Sequence, residues 1–125
     1  MILDTNALSA VADNEPSAAR IFSQAASIEV PVIVLGEYRF GIAHSRRRNQ
    51  YEKWLEELVA VTRVLPVDPT TASHYARIRA ELKKAGRPIP SNDLWIAALC
   101  RQHRLPLMSH DRHFDAFPDL KRIAW

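Results

Sequence analysis

The sequence predicts an α/β fold built around a mostly parallel sheet. Short apolar runs alternate along the chain with longer amphipathic stretches of helical period, and this alternation is typical of βαβ units. With 125 residues, 47% of them apolar, the chain has the size of one domain with a single core. We therefore expect residues 1–125 to form one domain.

Two strands and three helices are predicted over the first part of the chain. They are a strand over 1–3, a short helix over 7–11, a helix opening near Pro16, a strand over 27–32 and a helix over 32–44. Pro16 suits the first turn of its helix, and Pro31 should end the second strand. The last of these helices has an apolar stripe, formed by Val34, Leu35, Tyr38 and Ile42. Glu37 falls on another face.

The remaining chain continues the alternation. Its predicted elements are an amphipathic helix over 46–61, a strand over 62–67, helices over 69–85 and 92–103, a strand over 105–109, a loop or short helical turn over 110–120, and an edge strand over 121–125. The helix over 69–85 is the clearest, because Asp68 caps it, Pro69 begins it and Gly86 ends it. Its expected inward stripe is Ala72, Tyr75, Ala76, Ile78 and Leu82. Ser91 is the expected cap of the next helix.

Composition narrows the functional classes. No run approaches the roughly 20 apolar residues of a membrane span, and no signal-peptide pattern opens the chain, so we expect a cytoplasmic protein without a membrane segment. The single cysteine, Cys100, lies among apolar residues and indicates a buried thiol in a reducing compartment. A net charge of +3 permits a polyanionic partner without requiring one.

Four acidic side chains are expected at the carboxyl edge of the predicted sheet. Asp4 comes directly after the first strand, Glu37 lies in the helix after the second, Asp93 lies in the first turn of its helix, and Asp111 follows "LPLMS" by two residues. In a parallel sheet the carboxyl ends of the strands meet at one edge, where ligands bind. We therefore expect the four acids to converge there.

Each acid taken alone has an ordinary structural explanation. Asp4 would stabilise a strand-to-helix turn, and Asp93 would complement a helix dipole. Glu37 fits such a role less well, because its neighbours are apolar and a buried glutamate requires a partner. Arg39 is two residues from Glu37 and points to another face of the helix, so it is not expected to form a salt bridge with Glu37.

The repulsion within such a group decides how it must be used. Four ionised carboxylates about 6 Å apart repel one another by roughly 15 kcal/mol in total at an effective dielectric constant of about 20, which rivals the 5–15 kcal/mol or so of a whole domain's stability. The group therefore persists only by holding protons or binding cations. Oxygen ligands without His or Cys select Mg²⁺ or Mn²⁺. Such a site suits phosphodiester hydrolysis, leaving a 5′-phosphate and a 3′-hydroxyl.

Other catalytic motifs are weak or absent. His110 and His113 have the spacing H-x-x-H but lack the partners of a zinc site. The chain has no G-x-S-x-G, Walker loop or G-x-G-x-x-G. Trp54 and Trp95 fall on apolar stripes and are expected in the core.

Four segments carry a family resemblance. "MILDTNALSA", "VLGEYRFGI", "IPSNDLWIAA" and "MSHDRHFDAFPDL", in this order, resemble the PIN-domain ribonucleases, specifically toxins of the bacterial VapC type. The resemblance implies a three-layer α/β/α sandwich around a parallel sheet of about five strands. It also implies endonuclease activity on RNA that depends on Mg²⁺ or Mn²⁺.

The resemblance assigns roles to individual residues. Asp4, Glu37 and Asp93 match the family's three firmest metal-binding positions, and Asp111 matches the fourth, a role that Asp115 is placed to share or replace. Supporting roles fall to three further residues: Asn6 and Ser109 would orient acids or waters, and Arg39 would support the acids or contact RNA.

The resemblance also implies partners. These are a VapB-like antitoxin whose C-terminal segment fills the active-site groove, a second copy of the toxin in a homodimer, and operator DNA bound mainly through the antitoxin in the hetero-oligomer. The expected substrate is a tRNA or a ribosomal RNA loop.

Other classes fit less well. A haloacid-dehalogenase-like phosphatase needs a second Asp where this chain has Asn6, and a receiver domain needs paired early acids and a late lysine. The non-catalytic alternative is an inactive PIN-like module that binds RNA or protein, which the presence of all four acids disfavours.

Overall fold

Five parallel strands form the sheet of this protein, which a computed structural model describes over residues 1–125. The strands are β1 (Ile2–Leu3), β2 (Glu29–Pro31), β3 (Arg63–Leu65), β4 (Leu107–Met108) and β5 (Arg122–Ile123). Their order is β3-β2-β1-β4-β5, with every neighbouring pair parallel. In the centre, Ile2 pairs with Glu29 on one side and Leu107 on the other. The predicted parallel sheet is confirmed.

Six α-helices connect the strands. They are α1 (Thr5–Ala12), α2 (Pro16–Gln24), α3 (Val32–Ile42), α4 (Arg48–Val61), α5 (Pro69–Ala85) and α6 (Ser91–His103), followed by a 3₁₀ helix, Arg112–Ala116. The helices cover the sheet in the predicted α/β/α arrangement. The central strands are accordingly buried, with Ile2, Leu3, Leu107 and Met108 fully shielded, as expected for a parallel sheet covered on both faces.

Helix α5 confirms its predicted ends and corrects its predicted stripe. The Asp68 carboxylate accepts a hydrogen bond from the Thr71 amide at 3.0 Å, and Gly86 adopts a left-handed φ of 66°. Ala72 and Ala76, expected to face inward, are exposed. Thr71 is buried instead, because its hydroxyl bonds to Asp68 and to Gln102 of α6. These polar bonds rotate the buried face of the first turn.

One further local prediction is wrong. Ser91 is the first residue of α6 rather than its cap, because the extended Pro90 takes the N-cap position without a side-chain hydrogen bond. Phe40 shares the sequence neighbourhood of Glu37 but is 83% exposed. It lies opposite the buried stripe of α3, on which Val34, Tyr38 and Ile42 recur every four residues.

No helix of the structure combines the length and the apolar character needed to cross a membrane.

Candidate metal centre and active site

The carboxyl ends of the two central strands carry the first site residues. Leu3 of β1 pairs with Met108 of β4, so the next residues, Asp4 and Ser109, leave the sheet side by side. The Asp4 amide donates to the Met108 carbonyl at 3.3 Å. The sheet therefore fixes the backbone beneath the site.

Asp4 is a buried helix cap with a perturbed charge. It is 5% exposed, and its Oδ1 accepts a hydrogen bond from the Ala7 amide at 2.8 Å, so the ordinary turn-forming explanation describes part of its role. Burial raises the pKa of Asp4, the Ser109 side chain and the Ala7 amide counteract the rise by hydrogen bonding, and the charge of Asp111 adds to it. The pKa of a helix-capping aspartate without neighbouring acids would not be raised by a second negative charge.

Asp93, Asp111 and His113 form the tightest group. Their ligand atoms all lie within 4.8 Å of one another. The His113 Nδ1 atom is 3.2 Å from an Asp111 oxygen and 3.7 Å from an Asp93 oxygen. Burial raises the pKa of Asp93, with further contributions from the charges of Asp111 and Glu37, while His113 opposes the shift. The structure thus brings two predicted acids together with a histidine.

Glu37 lies on the other side of this group, on α3. It is partly buried, and its Oε1 accepts a hydrogen bond from the Thr5 hydroxyl at 3.0 Å. Its charge contributes to the raised pKa of Asp93. Asp4 and Glu37 are outside the tightest group, but they act electrostatically with it: the charge of Asp111 raises the pKa of Asp4, and the charges of Asp111 and Glu37 raise the pKa of Asp93.

The predicted supporting residues separate into two sets. Ser109 is fully buried, and its Oγ accepts from the Asp111 amide at 2.9 Å, so it touches the acidic group. Asn6 is exposed on α1. Arg39 is directed away from the acids, with its Nε 3.6 Å from Glu52 of α4.

Asp115 belongs to a different contact. Its two oxygens bind the Arg122 guanidinium at 2.8 and 3.0 Å, and this bond lowers the pKa of Asp115. The carboxylate that faces Asp93 is that of Asp111.

Two site residues were not predicted. Thr5 orients Glu37, and His113 contacts two acids. The "DTN" segment contains Thr5, but the sequence predicts a role only for the adjacent Asp4 and Asn6. His113 was considered only as part of a zinc motif, although its position two residues after Asp111 was a usable signal.

The donor set fits a hard divalent cation. Carboxylate oxygens predominate, as Mg²⁺ and Mn²⁺ prefer, and the pKa values of Asp4 and Asp93 are raised by burial and by neighbouring negative charge. A cation among these carboxylates would offset both effects.

Comparison with known proteins agrees with this architecture. Residues 1–120 match the PIN domain family. Ribonuclease VapC5 of Mycobacterium tuberculosis is 38% identical over 92 residues, which are 71% of this chain and 67% of the relative. Ribonuclease VapC2 of Haemophilus influenzae is 30% identical over 127 residues, covering 99% of this chain and 96% of the relative.

A solved complex gives the structural counterpart. The crystal structure of DNA-bound VapBC from Salmonella typhimurium contains a chain that superposes with a TM-score of 0.86 at 26% identity, covering 99% of this chain and 96% of that one. The superposition agrees with the family match and with the sequence identities to the two relatives. This chain therefore belongs to the PIN domain family, among its VapC-type members.

Proposed function

We propose that this protein is an endoribonuclease toxin that depends on Mg²⁺ or Mn²⁺ and hydrolyses RNA phosphodiester bonds. The supporting observation is the acidic group at the carboxyl edge of the sheet, in which Asp93 and Asp111 approach each other and the pKa values of Asp4 and Asp93 are raised. The relatives named Ribonuclease VapC support RNA as the substrate.

Asp4, Glu37, Asp93 and Asp111 would hold the cation. A bound divalent cation lowers the pKa of coordinated water and neutralises charge on a phosphodiester. The chain's own contribution is orientation: the Ala7 amide and Ser109 fix Asp4, and the Thr5 hydroxyl fixes Glu37. Because these partners come from the sheet edge and from α1, the carboxylates are positioned before substrate arrives.

His113 has a separate role beside the acids. Its Nδ1 faces oxygens of Asp111 and Asp93, and its ring is 52% exposed. We assign it a positioning role for Asp93 and Asp111.

The proposed partners follow from the same relatives. Solved neighbours include a VapBC complex bound to DNA, so we propose a VapB-like antitoxin that covers the acidic site, a toxin homodimer, and operator DNA bound through the antitoxin. The proposed RNA is a tRNA or a ribosomal RNA loop, which requires a cytoplasmic location.

The test is cleavage of total RNA by the purified, antitoxin-free protein with Mg²⁺, Mn²⁺ or EDTA. Asp4→Asn and Asp93→Asn should lose cleavage, and EDTA should abolish it. Glu56→Gln is the matched control, because Glu56 is an exposed acid of α4 outside the site. Products should carry 5′-phosphates. Wild-type rates in Asp4→Asn or Asp93→Asn, or RNA binding without any cleavage, would refute the proposal.

A further inference from the structure

A second pocket adjoins the acidic site. It has a volume of about 310 Å³ and is lined by Arg87, Pro88 and Ile89 from the α5–α6 connection and by Arg112, His113 and Ala116 from the 3₁₀ helix. His113 also contacts Asp93 and Asp111. The pocket and the acidic group therefore share a wall.

The pocket offers cationic groups that have no protein partner. Arg87 and Arg112 are exposed, and neither guanidinium lies within ion-pair distance of an acid or forms a side-chain hydrogen bond. Asp115 also lines the pocket, but Arg122 holds both of its oxygens. The pocket is consequently basic, immediately beside a site that is acidic.

Its remaining surface suits a flat apolar group. Pro88, Ile89 and Ala116 provide the carbon surface of the pocket, and its volume is at the lower end of the range for small-ligand sites. A nucleotide combines a base with apolar faces and a phosphate that is a strong acceptor for guanidinium. A base can enter such a pocket only where it is unpaired and unstacked.

The other cavities lack this combination. The hollow on the Glu37 side of the site, lined by Thr5, Ile33, Gly36, Phe40 and Asn92, contains no lysine or arginine. A cavity of about 690 Å³ contains Arg104 and Lys121 as well as Arg101, but none of its lining residues belongs to the acidic group. The pocket at Arg87 and Arg112 joins two unpaired cations to the acidic site.

We propose that this pocket binds the nucleotide next to the scissile phosphate, in a single-stranded RNA segment, with Arg87 and Arg112 contacting phosphate. This inference rests on the proposed ribonuclease function and adds to it a fixed side on which the RNA strand is held. The two arginines bind substrate and take no part in the chemical step.

The test compares Arg87→Ala, Arg112→Ala and the double variant with Arg20→Ala. Arg20 is the matched control because it is an exposed arginine on α2. Helix α2 leads into the amino end of β2, whereas the acidic site lies at the carboxyl ends of the strands. Steady-state cleavage of a fluorescent single-stranded oligoribonucleotide should show KM raised about tenfold in each single variant and more in the double variant, as expected when charged hydrogen bonds are lost, with kcat within about twofold. Arg112→Lys should recover part of the loss.

Binding is measured separately by fluorescence anisotropy of the same oligonucleotide in EDTA. The salt dependence of log Kd should fall by about 0.7 for each arginine removed. If KM and Kd match those of Arg20→Ala, or if kcat falls at constant KM, the inference is overturned while the ribonuclease proposal stands. If the wild type cuts no RNA but the double variant still binds it more weakly than Arg20→Ala, the pocket assignment stands and the ribonuclease proposal fails.

Discussion

Replacement of Asp4 by asparagine should stabilise the cation-free protein. The carboxylate is buried, and burial raises its pKa above the ordinary value of an aspartate. Each unit of that rise costs the ionised native state about 1.4 kcal/mol. Asparagine removes the charge but is as strong an N-cap as aspartate, so its Oδ1 can keep the bond to the Ala7 amide.

Asp4→Ala separates charge from capping. Alanine also removes the charge but loses the hydrogen bond to Ala7, which costs about 1 kcal/mol. For a domain of this size, that difference corresponds to a Tm roughly 3–5 °C lower than in Asp4→Asn. Thermal scans in EDTA should therefore give Asp4→Asn the highest Tm of the three proteins.

The pH dependence of Tm independently tests whether Asp4→Asn is stabilising because it removes the charge. Because the folded-state pKa of Asp4 lies above its unfolded value, its favourable contribution is complete below pH 3.8 or so and is lost as pH rises through the folded-state pKa. The Tm advantage of Asp4→Asn should be largest near neutral pH and shrink towards pH 4. An asparagine variant that melts at or below the wild-type temperature at pH 7, or an advantage that does not depend on pH, would refute the electrostatic reasoning.

Further predictions concern other sites. Asp111→Asn should lose RNA cleavage, whereas Asp115→Asn should retain it, since Asp115 is held by Arg122; equal losses in a cleavage assay would contradict this. Gly86→Ala should lower the free energy of unfolding by about 1 kcal/mol because φ is 66°, whereas Gly41→Ala, inside α3 with open space at the Cβ position, should raise it by about 0.5–1 kcal/mol; urea denaturation measures both. Cys100 is buried with a raised pKa, so its alkylation at pH 8 should require unfolding, and rapid labelling of the native protein would contradict this.

The fold could be predicted because its signals are local. The cap at Asp68 and the stop at Gly86 each depend only on residues within about one helical turn of that end of α5. The apolar runs of the central strands reflect burial on both faces of the sheet. The burial of Thr71 could not be predicted in this way, because its partner Gln102 is 31 residues away.

The candidate site shows the same limit. Asp4 and Asp111 could be placed at the central edge because each follows a strand, and Glu37 because it lies in the helix after one. These placements require only the order of elements. The contacts of His113 with Asp93 and of Thr5 with Glu37 join residues 20 and 32 positions apart. Neither pairing leaves a periodic or compositional trace in the sequence, and only the position of His113 two residues after Asp111 indicates that this histidine lies near the acids.

The stability of the cation-free protein and its affinity for a cation should have a common origin at Asp4. Its backbone is bonded to β4 and its side chain to α1, so the carboxylate cannot relieve its desolvation by turning towards solvent. A cation that binds only the native state stabilises it by RT ln(1 + [L]/Kd), and removing the Asp4 charge weakens that binding. Asp4→Asn should therefore gain Tm in EDTA and gain less than the wild type when Mn²⁺ is added. If Mn²⁺ stabilised both proteins equally, Asp4 would be a buried cap whose charge plays no part in the site.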